Sequence, residues 1–456
     1  MCGLLFHNIG HKIGLKASNN ALKTLVHRGP DAMEFKEYYD EKKLYLGHVR
    51  LSILDQDGGR QPYETDDFIM VFNGEIYNHL SLRKELENKG AVFQSSHSDT
   101  ETLIKGFEYE GKTFFKKIQG MFAVVIYDKK TKIIYAARDH MGIKPLYYYM
   151  SETDLVFSSE IKTILAIFKT MRKKPTIRSG AISEYFCFRA PVFGTMFEGI
   201  KKLKPSHFYR FQNGNIIADK FDPYVGSEST QKNFLEKEVK QQLISDVDVG
   251  LLLSGGVDSS LISILAKKNS FGNVTAFCLS AGGELDETKY AKDVAQKFGI
   301  NLQVVKMDTS NFKNSFAKWA KFNDDPISDP SSVALFHLCE KINKCGIKVL
   351  LSGEGADELF LGYNSHTKYF IAKRMERFGL AGIAAKFLPL NFINKKAVFW
   401  GTGMYASPEF ITQVCGVKDI PKIQNKMMMH SNNKSSNADY IRFVEIQYRL
   451  PNDLLM

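Results

Sequence analysis

Cysteine is scarce in this 456-residue chain: six are scattered at Cys2, Cys187, Cys278, Cys339, Cys345 and Cys415, and none forms a CxxC pair. That argues against a disulfide framework and gives no support to a zinc cluster. It fits a reducing compartment, so a cytoplasmic location is expected. Long apolar runs are missing too. No stretch of about 18 residues is uniformly apolar, so no membrane-spanning helix is read and no membrane partner is expected. The nearest candidate, Gly379 to Trp400, is interrupted by Lys386, Pro389, Lys395 and Lys396. The opening Met1-Cys2-Gly3-Leu4-Leu5-Phe6 lacks the basic stretch and long apolar run of a secretory leader. Long basic tracts are absent as well. The net charge is +11, but its clusters, Arg172-Lys173-Lys174 and Lys201-Lys202-Lys204, are short and dispersed. No nucleic-acid recognition motif accompanies them, so no nucleic-acid partner is expected, although such a field suits a small anionic substrate.

What is there is a core. Hydrophobic residues make up 44% and charged residues 24%, which excludes wholesale disorder, and the length implies about two to four domains. Residues 1 to about 210 carry short strand-like runs at Leu44–Leu54, Phe68–Phe72, Met121–Tyr127, Ile133–Ala137 and Leu146–Tyr149. Helical stretches around 79–89 and 100–110 interrupt them, which suggests packed sheets flanked by helices. From about 230 strands and helices alternate: strands at Val249–Leu253, Val274–Leu279, Leu302–Lys306 and Lys348–Leu351, helices at Lys232–Ile244, from Ser259, at Glu287–Phe298 and at Val333–Lys344. That rhythm reads as a doubly wound parallel α/β sheet. The join is expected near 205–230, with a hairpin turn at Asn213-Gly214-Asn215 and a linker at Gly226-Ser227-Glu228-Ser229. Met427 to Asn437 reads as a flexible loop.

Chemistry concentrates in two places. If Met1 is removed, Cys2 carries both a thiol and a free α-amine, a nucleophile with its own base. Arg28-Gly29-Pro30-Asp31 reads as a charged turn, and Arg50-Leu51-Ser52-Ile53-Leu54 as a strand with the arginine at its start. Asn73-Gly74-Glu75 is expected in a tight turn after a strand, and Ser98 as the cap of a helix opening at Asp99. Together these segments supply what recognition of glutamine needs. An arginine can pair with an α-carboxylate, and Glu75 and Asp99 can accept from an α-ammonium. Asn73 and the Gly74 N–H can donate to an oxyanion.

The second place is Ser254-Gly255-Gly256-Val257-Asp258-Ser259-Ser260, which follows a strand and opens a helix. Glycines, a helix N-terminus and hydroxyls suit phosphates, and Asp258 can hold Mg²⁺ through an oxygen. It is no Walker A loop, because no Gly-Lys-[Ser/Thr] is present. Ser352-Gly353-Glu354-Gly355-Ala356-Asp357-Glu358 ends a later strand, so Asp258 and Asp357 are candidates to share a magnesium-bound pyrophosphate. Asp286-Glu287, Asp324-Asp325 and Asp329 read equally as caps, solvated groups or ligands.

The motifs MCG, RGPD, RLSI, NGEIYN and SDTE, in that order, resemble the glutaminase domain of class II glutamine amidotransferases. SDVDVGLLLSGGVDSS, DETKYA, DDPISDPSS and LLSGEGADELFLGY resemble the ATP-pyrophosphatase domain of asparagine synthetases. The resemblance implies an N-terminal-nucleophile αββα sandwich over 2–210 and a doubly wound parallel α/β domain, of the adenine nucleotide alpha hydrolase type, over 230–456. It implies Cys2 as nucleophile and Arg50, Leu51, Ser52, Ile53, Leu54, Asn73, Gly74, Glu75 and Asp99 as the glutamine site. For ATP it implies Leu252, Ser254, Gly255, Gly256, Asp258, Ser259, Ser260, Leu279, Ser352 and Gly353. Glu354 would lie beside an acyl-adenylate, with Mg²⁺ on Asp258 and Asp357. Glutamine, ATP and aspartate or another carboxylate are the implied partners, ligation of ammonia to that carboxylate is the implied reaction, and a homodimer is left open.

Three departures from the family pattern stand out: Pro205-Ser206-His207 in place of Pro-Gly-His, Asp248 where an uncharged residue is usual, and an end at Met456 where the resemblance implies a Lys-x-Asp-Arg stretch and further helices. The last leads to the expectation of a C-terminally incomplete synthetase half that hydrolyses glutamine better than it makes amide. The alternatives are an amidotransferase for a sugar acid or peptide, a β-lactam-forming relative, and a glutamine-binding or scaffold protein with an inactive second half.

Overall fold

The computed structural model describes residues 1–9, 13–39, 43–56, 58–212, 214–221, 231–270, 274–283, 286–387, 391–393, 396–399, 408–416, 420–432 and 436–454. The chain forms two compact units. The first comprises Met1–Pro175, Gly199–Ala317 and Ala334–Ser352; the second comprises Thr176–Glu198, Lys318–Val333 and Gly353–Met456.

In the first unit, apolar residues at alternate positions build a four-layer sandwich. Its strands are β1 (Gly3–His7), β2 (Ala32–Tyr39), β3 (Lys43–Arg50), β4 (Tyr63–Glu64), β5 (Phe68–Ile76) and β6 (Gly120–Asp128), followed by β7 (Ile134–Arg138), β8 (Tyr147–Met150), β9 (Leu155–Ser158), β10 (Ile200–Lys202), β11 (His207–Gln212) and β12 (Asn215–Lys220). They pair antiparallel as two six-stranded sheets, ordered β10-β8-β9-β1-β3-β2 and β12-β11-β7-β6-β5-β4. Side chains on successive strand residues point to opposite faces. Leu4, Phe6, Leu46, Ile69, Val71, Ala123 and Val125 therefore meet between the sheets. Their neighbours Met70, Phe72, Val124 and Ile126 face outward and pack with Leu82 and Leu86 of the helix His79–Asn88 and Leu103, Ile104 and Phe107 of the helix Asp99–Glu110. Helices Leu15–Lys23 and Ile161–Thr170 bury Leu22, Ile164 and Ile167. The αββα sandwich is therefore present.

The same unit holds a parallel sheet of β13 (Val249–Leu252), β14 (Thr275–Ser280), β15 (Asn301–Lys306) and β16 (Val349–Leu351), ordered β15-β14-β13-β16. Helices Val257–Asn269, Thr288–Phe298 and Pro330–Asn343 connect its strands. The strand order reverses between β13 and β16, so the carboxyl ends of those two strands flank the switch point where open α/β sheets take ligands.

The second unit is helical around Cys187, Phe188, Tyr369, Tyr440, Ile441, Val444 and Tyr448. Buried charges are paired inside it: Arg449 lies 3.2 Å from Glu358, and His366 lies 3.1 Å from Glu445.

Several local expectations are corrected. Asn73-Gly74-Glu75 does not form a turn; β5 runs on to Ile76, pairing Asn73 with Ala123 and Glu75 with Met121. Gly74 permits this, because a Cβ there would collide with the Met121 carbonyl. Arg50 ends β3 rather than starting a strand, and 51–54 is a loop. The stretch from Met427 is helical to Asn432 rather than a loop, and 433–435 lie outside the described residues. The linker at 226–229 and the hairpin residue 213 lie outside them too. Ser206 is buried with φ 59°, the left-handed region that favours glycine, in a turn where its N–H donates to the Asp139 carbonyl at 3.0 Å.

Candidate active site

Cys2 sits one residue before β1, whose five residues are all buried, so the sandwich core fixes the start of the chain. Arg28 donates through Nε to the Cys2 carbonyl at 2.9 Å and pairs through Nη1 with Glu160 at 2.9 Å. His27 meets the same Glu160 oxygen at 2.9 Å, and despite its burial the carboxyl is pulled down to about 2 by His27 and Arg28. The turn at Arg28 is thus a clamp on the first residues. The Cys2 thiol receives the Leu51 N–H at 3.4 Å and faces the Leu51 carbonyl at 3.7 Å. Burial pushes the thiol's pKa up. Burial also pushes the Met1 α-amine down to about 5.

A cavity of about 260 Å³ opens at the thiol. The structure brings Cys2, Arg50, Leu51, Ile53, Leu54, Asn73, Gly74, Glu75 and Asp99 together around it. Ser52 is not in the lining; its N–H donates to Asp31 at 2.8 Å. Asn73 is 1% exposed, and neither its amide nitrogen nor its oxygen has a partner within the protein. A buried amide left unpaired is costly, so such a group is expected to have a ligand. Glu75 also has a buried oxygen without a partner. Its carboxyl is pushed up to about 8, first by burial and then by the charge of Asp99. Asp99 accepts the Ile76 N–H at 3.1 Å and begins a helix capped by Ser98, whose side chain accepts from the Glu101 N–H. The Arg50 guanidinium is engaged by the carbonyls of Leu54 (3.2 Å), Asp55 (2.6 Å) and Gln56 (2.5 Å), which ties down the 51–56 loop.

Sequence reasoning missed further members of this wall. Lys144, 3% exposed, lines the cavity, and burial lowers its ammonium to about 8. Its only local signal is a charged residue in a Gly-Ile-Lys-Pro turn between two strands. Gln61 accepts the Phe72 N–H at 2.6 Å, and Lys348, Val349 and Leu350 bring β16 of the parallel sheet to the same cavity.

At the carboxyl end of β13 the loop 254–260 turns sharply. Gly255 has φ 93°, and a Cβ there would lie 2.5 Å from the Ala291 N and 2.6 Å from the Tyr290 Cβ. Ser254 Oγ lies 2.9 Å from Ser259 Oγ and accepts the Gly256 N–H at 3.3 Å. The helix Val257–Asn269 follows, with Asp258 in its first turn. Ser260 Oγ is buried without a partner. Leu252 and Leu279, at the ends of adjacent strands, pack on one cluster with Phe277 and Leu338. A close backbone approach, an orphaned hydroxyl and a helix N-terminus fit the phosphates of a nucleotide. Among the described residues no group of three or more His, Cys, Asp or Glu could hold a metal by itself. Asp258 fits a magnesium that arrives with phosphates, since that ion is commonly held by one or two carboxylates plus substrate oxygens.

Ser352 ends the first unit, and Gly353, Glu354 and Asp357 belong to the second. Burial raises the Glu354 carboxyl, with Glu358 adding to the effect. Asp286 serves as a cap: it accepts the Gly282 N–H at 3.0 Å and the Thr288 N–H at 2.8 Å, and the hydroxyls of Ser280 and Thr288 hold its carboxyl far below the usual range. Within the second unit, Asp325 accepts the Met196 N–H at 2.8 Å and Asp329 pairs with Arg189 at 2.9 Å.

The comparisons with known proteins agree with this geometry. Residues 1–222 match a family model described as a glutamine amidotransferase domain, and residues 231–455 match one described as asparagine synthase. The sandwich and the parallel sheet therefore fall in one class, a glutamine amidotransferase domain joined to an asparagine synthase domain. "Asparagine synthetase (glutamine-hydrolyzing) 1" of Bacillus subtilis is 34% identical over 398 residues, which is 83% of this chain and 61% of that protein. "Putative asparagine synthetase (glutamine-hydrolyzing) 2" of Methanocaldococcus jannaschii is 31% identical over 406 residues, 80% of this chain and 76% of that protein. "Amidase chry2" of Gibberella zeae is 30% identical over 378 residues, 76% of this chain and 55% of that protein. The chain belongs to the asparagine synthetase (glutamine-hydrolysing) family. It spans about 61% of the length of the Bacillus relative it matches.

Proposed function

We propose that this chain is a glutamine-dependent asparagine synthetase with a glutaminase domain at 2–210 and an ATP-pyrophosphatase domain at 230–456. The observation that carries the reading is the buried, unpartnered Asn73 amide in the cavity that also holds the Cys2 thiol. Freed of Met1, the Cys2 α-amine would take the thiol proton. The sulfur attacks the glutamine side-chain carbonyl, and Asn73 and the Gly74 N–H donate to the oxyanion. Collapse expels ammonia and leaves a thioester, which water hydrolyses to glutamate. In the second domain a carboxylate oxygen of aspartate attacks the α-phosphorus of ATP, releasing pyrophosphate and leaving an acyl-adenylate. Ammonia then displaces AMP. Asp258 and Asp357 would hold Mg²⁺, which offsets charge on the phosphates. Free ammonia in water is mostly protonated, so an internal passage is required, and the contribution of β16 to the glutamine cavity supports one starting there.

The acceptor is tested directly, because relatives named as amidases match about as well as those named as synthetases. Purified protein is given glutamine, Mg·ATP and, in turn, aspartate, a sugar acid and a carboxyl-terminal peptide. Glutamate is expected with glutamine, and AMP and amide product with aspartate as the acceptor. No glutamate under any condition would sink the reading, whereas amide formed only with another acid would reassign the acceptor.

Two variants of conditions follow from the geometry. Asp258→Asn keeps the size and removes the charge. Loss of one charge-assisted contact costs about 1.5–3 kcal/mol, so Mg·ATP should bind about ten- to a hundredfold more weakly by calorimetry, with glutamine hydrolysis unchanged. Equal Mg·ATP affinity in the variant would refute the metal role.

The second concerns pH. With its carboxyl pushed up to about 8 by burial and by Asp99, Glu75 holds a proton at neutral pH in the empty pocket. An arriving α-ammonium takes the place of that proton. Protonation competes with binding, so the glutamine KM should fall as pH rises from 6, by up to about tenfold per unit, and level off above 8. A KM flat across that window would show that the two carboxylates carry no exchangeable proton.

A further inference from the structure

The 51–56 loop is the wall of the cavity that gives the thiol its one backbone donor, Leu51, and Arg50 grips it from below. Its far end is gripped from elsewhere in the chain. The Asp55 N–H donates to Asp246 Oδ2 at 2.7 Å, and the Asp246 N–H donates back to the Ile53 carbonyl at 3.0 Å. The same Oδ2 lies 3.0 Å from His97 Nε2. His97 sits two residues before Asp99, so a single carboxylate touches both the loop beside the thiol and the segment that leads into the helix bearing Asp99. Asp246 itself stands three residues before β13, whose other end carries the 254–260 loop. Asp55 has φ 46°, a left-handed conformation that a non-glycine residue keeps only when its surroundings enforce it. The Arg50 and Asp246 contacts supply that enforcement. On the other side of the loop, Asp31 accepts the Ser52 N–H at 2.8 Å and pairs with Lys348, the residue before β16, at 2.7 Å. The glutamine loop is thus fastened to the entry of both strands that flank the switch point of the parallel sheet.

We propose that Asp246 is a positioning residue for glutamine hydrolysis: from the segment entering β13 it holds the 53–55 end of the glutamine loop and the approach to Asp99. It touches no reacting atom. This inference rests on the reading of 51–56 as a wall of the glutamine site. Loss of the carboxylate removes the bonds to the Asp55 N–H and to His97 Nε2, while Arg50 and the Asp246 backbone N–H keep theirs, so the thiol keeps Leu51 and the loop loosens at Asp55 and at the approach to Asp99. The effect therefore falls on glutamine binding more than on the chemical step.

The test compares Asp246→Ala, Asp246→Asn and Asp248→Ala in the full chain, with glutaminase kinetics and thermal unfolding as readouts. Asp246→Ala should raise the glutamine KM about tenfold or more, since small misplacements of binding groups have effects of that size, with kcat within about threefold of the parent. Asp246→Asn keeps an oxygen that can accept the Asp55 N–H and should recover most of the affinity. Asp248→Ala removes the same charge two residues away, on an exposed side chain, and should leave KM unchanged. Melting midpoints near the parent's in all three would separate the effect from unfolding. An unchanged KM in Asp246→Ala, or an equal rise in Asp248→Ala, would overturn the inference. A parent with no glutaminase activity would instead sink the functional reading itself.

Discussion

The Cys2→Ala variant is expected to lose glutamine hydrolysis completely while keeping any amide synthesis driven by added ammonia. The cavity holds one thiol, and its neighbours Asn73, Glu75 and Asp99 offer donors and acceptors but no replacement nucleophile. Removing a covalent nucleophile in a well-studied hydrolase lowers kcat on the order of 10⁶-fold, which places residual activity below detection. The fold should survive. Cys2 precedes β1, and the contact that fixes it, the Arg28 Nε to its carbonyl at 2.9 Å, is a backbone contact that alanine preserves. Glutamine should therefore still bind to the variant, and calorimetry would detect it. Intact mass of the parent should show Met1 removed, because with Met1 in place the only α-amine at the site belongs to Met1 and not to the nucleophile. Glutamate production by Cys2→Ala at more than trace rate would refute the assignment.

Local pattern made much of this fold legible. The strands 44–50, 68–72, 121–127 and 134–137 alternate apolar side chains, and the structure places them in two facing sheets with a core between. Loop 254–260 was equally plain, because glycine, serine and an acidic residue between a strand and a helix form a compact local signal. What the sequence hid has one physical cause. Hydrogen bonds between distant segments leave no periodicity. Asn73 to Ile76 read as a turn because Asn-Gly favours turns, yet pairing with Gly120–Ala123 overrode the propensity. Arg28 read as turn surface because its partners, Cys2 and Glu160, are 26 and 132 residues away. Asp246 carries no signal of its own in the sequence because Asp55 is 191 residues from it. The packing of 176–198 with the C-terminal helices was invisible for the same reason.

Within loop 254–260 the role of the backbone can be tested by a single methyl group. Gly255 and Gly256 are adjacent, yet only the first is sterically required. Gly255→Ala should abolish use of ATP, whereas Gly256→Ala should largely keep it. At Gly255 the backbone has φ 93°, which alone costs alanine about 1–3 kcal/mol. The added Cβ would also lie 2.5 Å from the Ala291 N and 2.8 Å from the Tyr290 carbonyl carbon, both backbone atoms. Ala291 is fully buried in the core beneath the helix Thr288–Phe298, so the helix cannot retreat. The loop must move instead. That breaks the Ser254–Ser259 contact at 2.9 Å and turns the Gly255 and Gly256 N–H groups away from the phosphate position. A preorganised donor set of this kind is worth about 100- to 1000-fold in rate, so kcat/KM for ATP should fall at least that far. Gly256, by contrast, has φ −65°, and its added Cβ would meet only the Ser254 Oγ at 3.4 Å, ordinary contact. Both variants should hydrolyse glutamine as the parent does, because none of the residues lining the Cys2 cavity belongs to this loop. Melting should drop by a few degrees in Gly255→Ala only. Equal ATP kinetics in the two variants would show that the left-handed turn at 255 does not shape the nucleotide site, and wild-type Mg·ATP affinity in Gly255→Ala would remove the loop from nucleotide binding altogether.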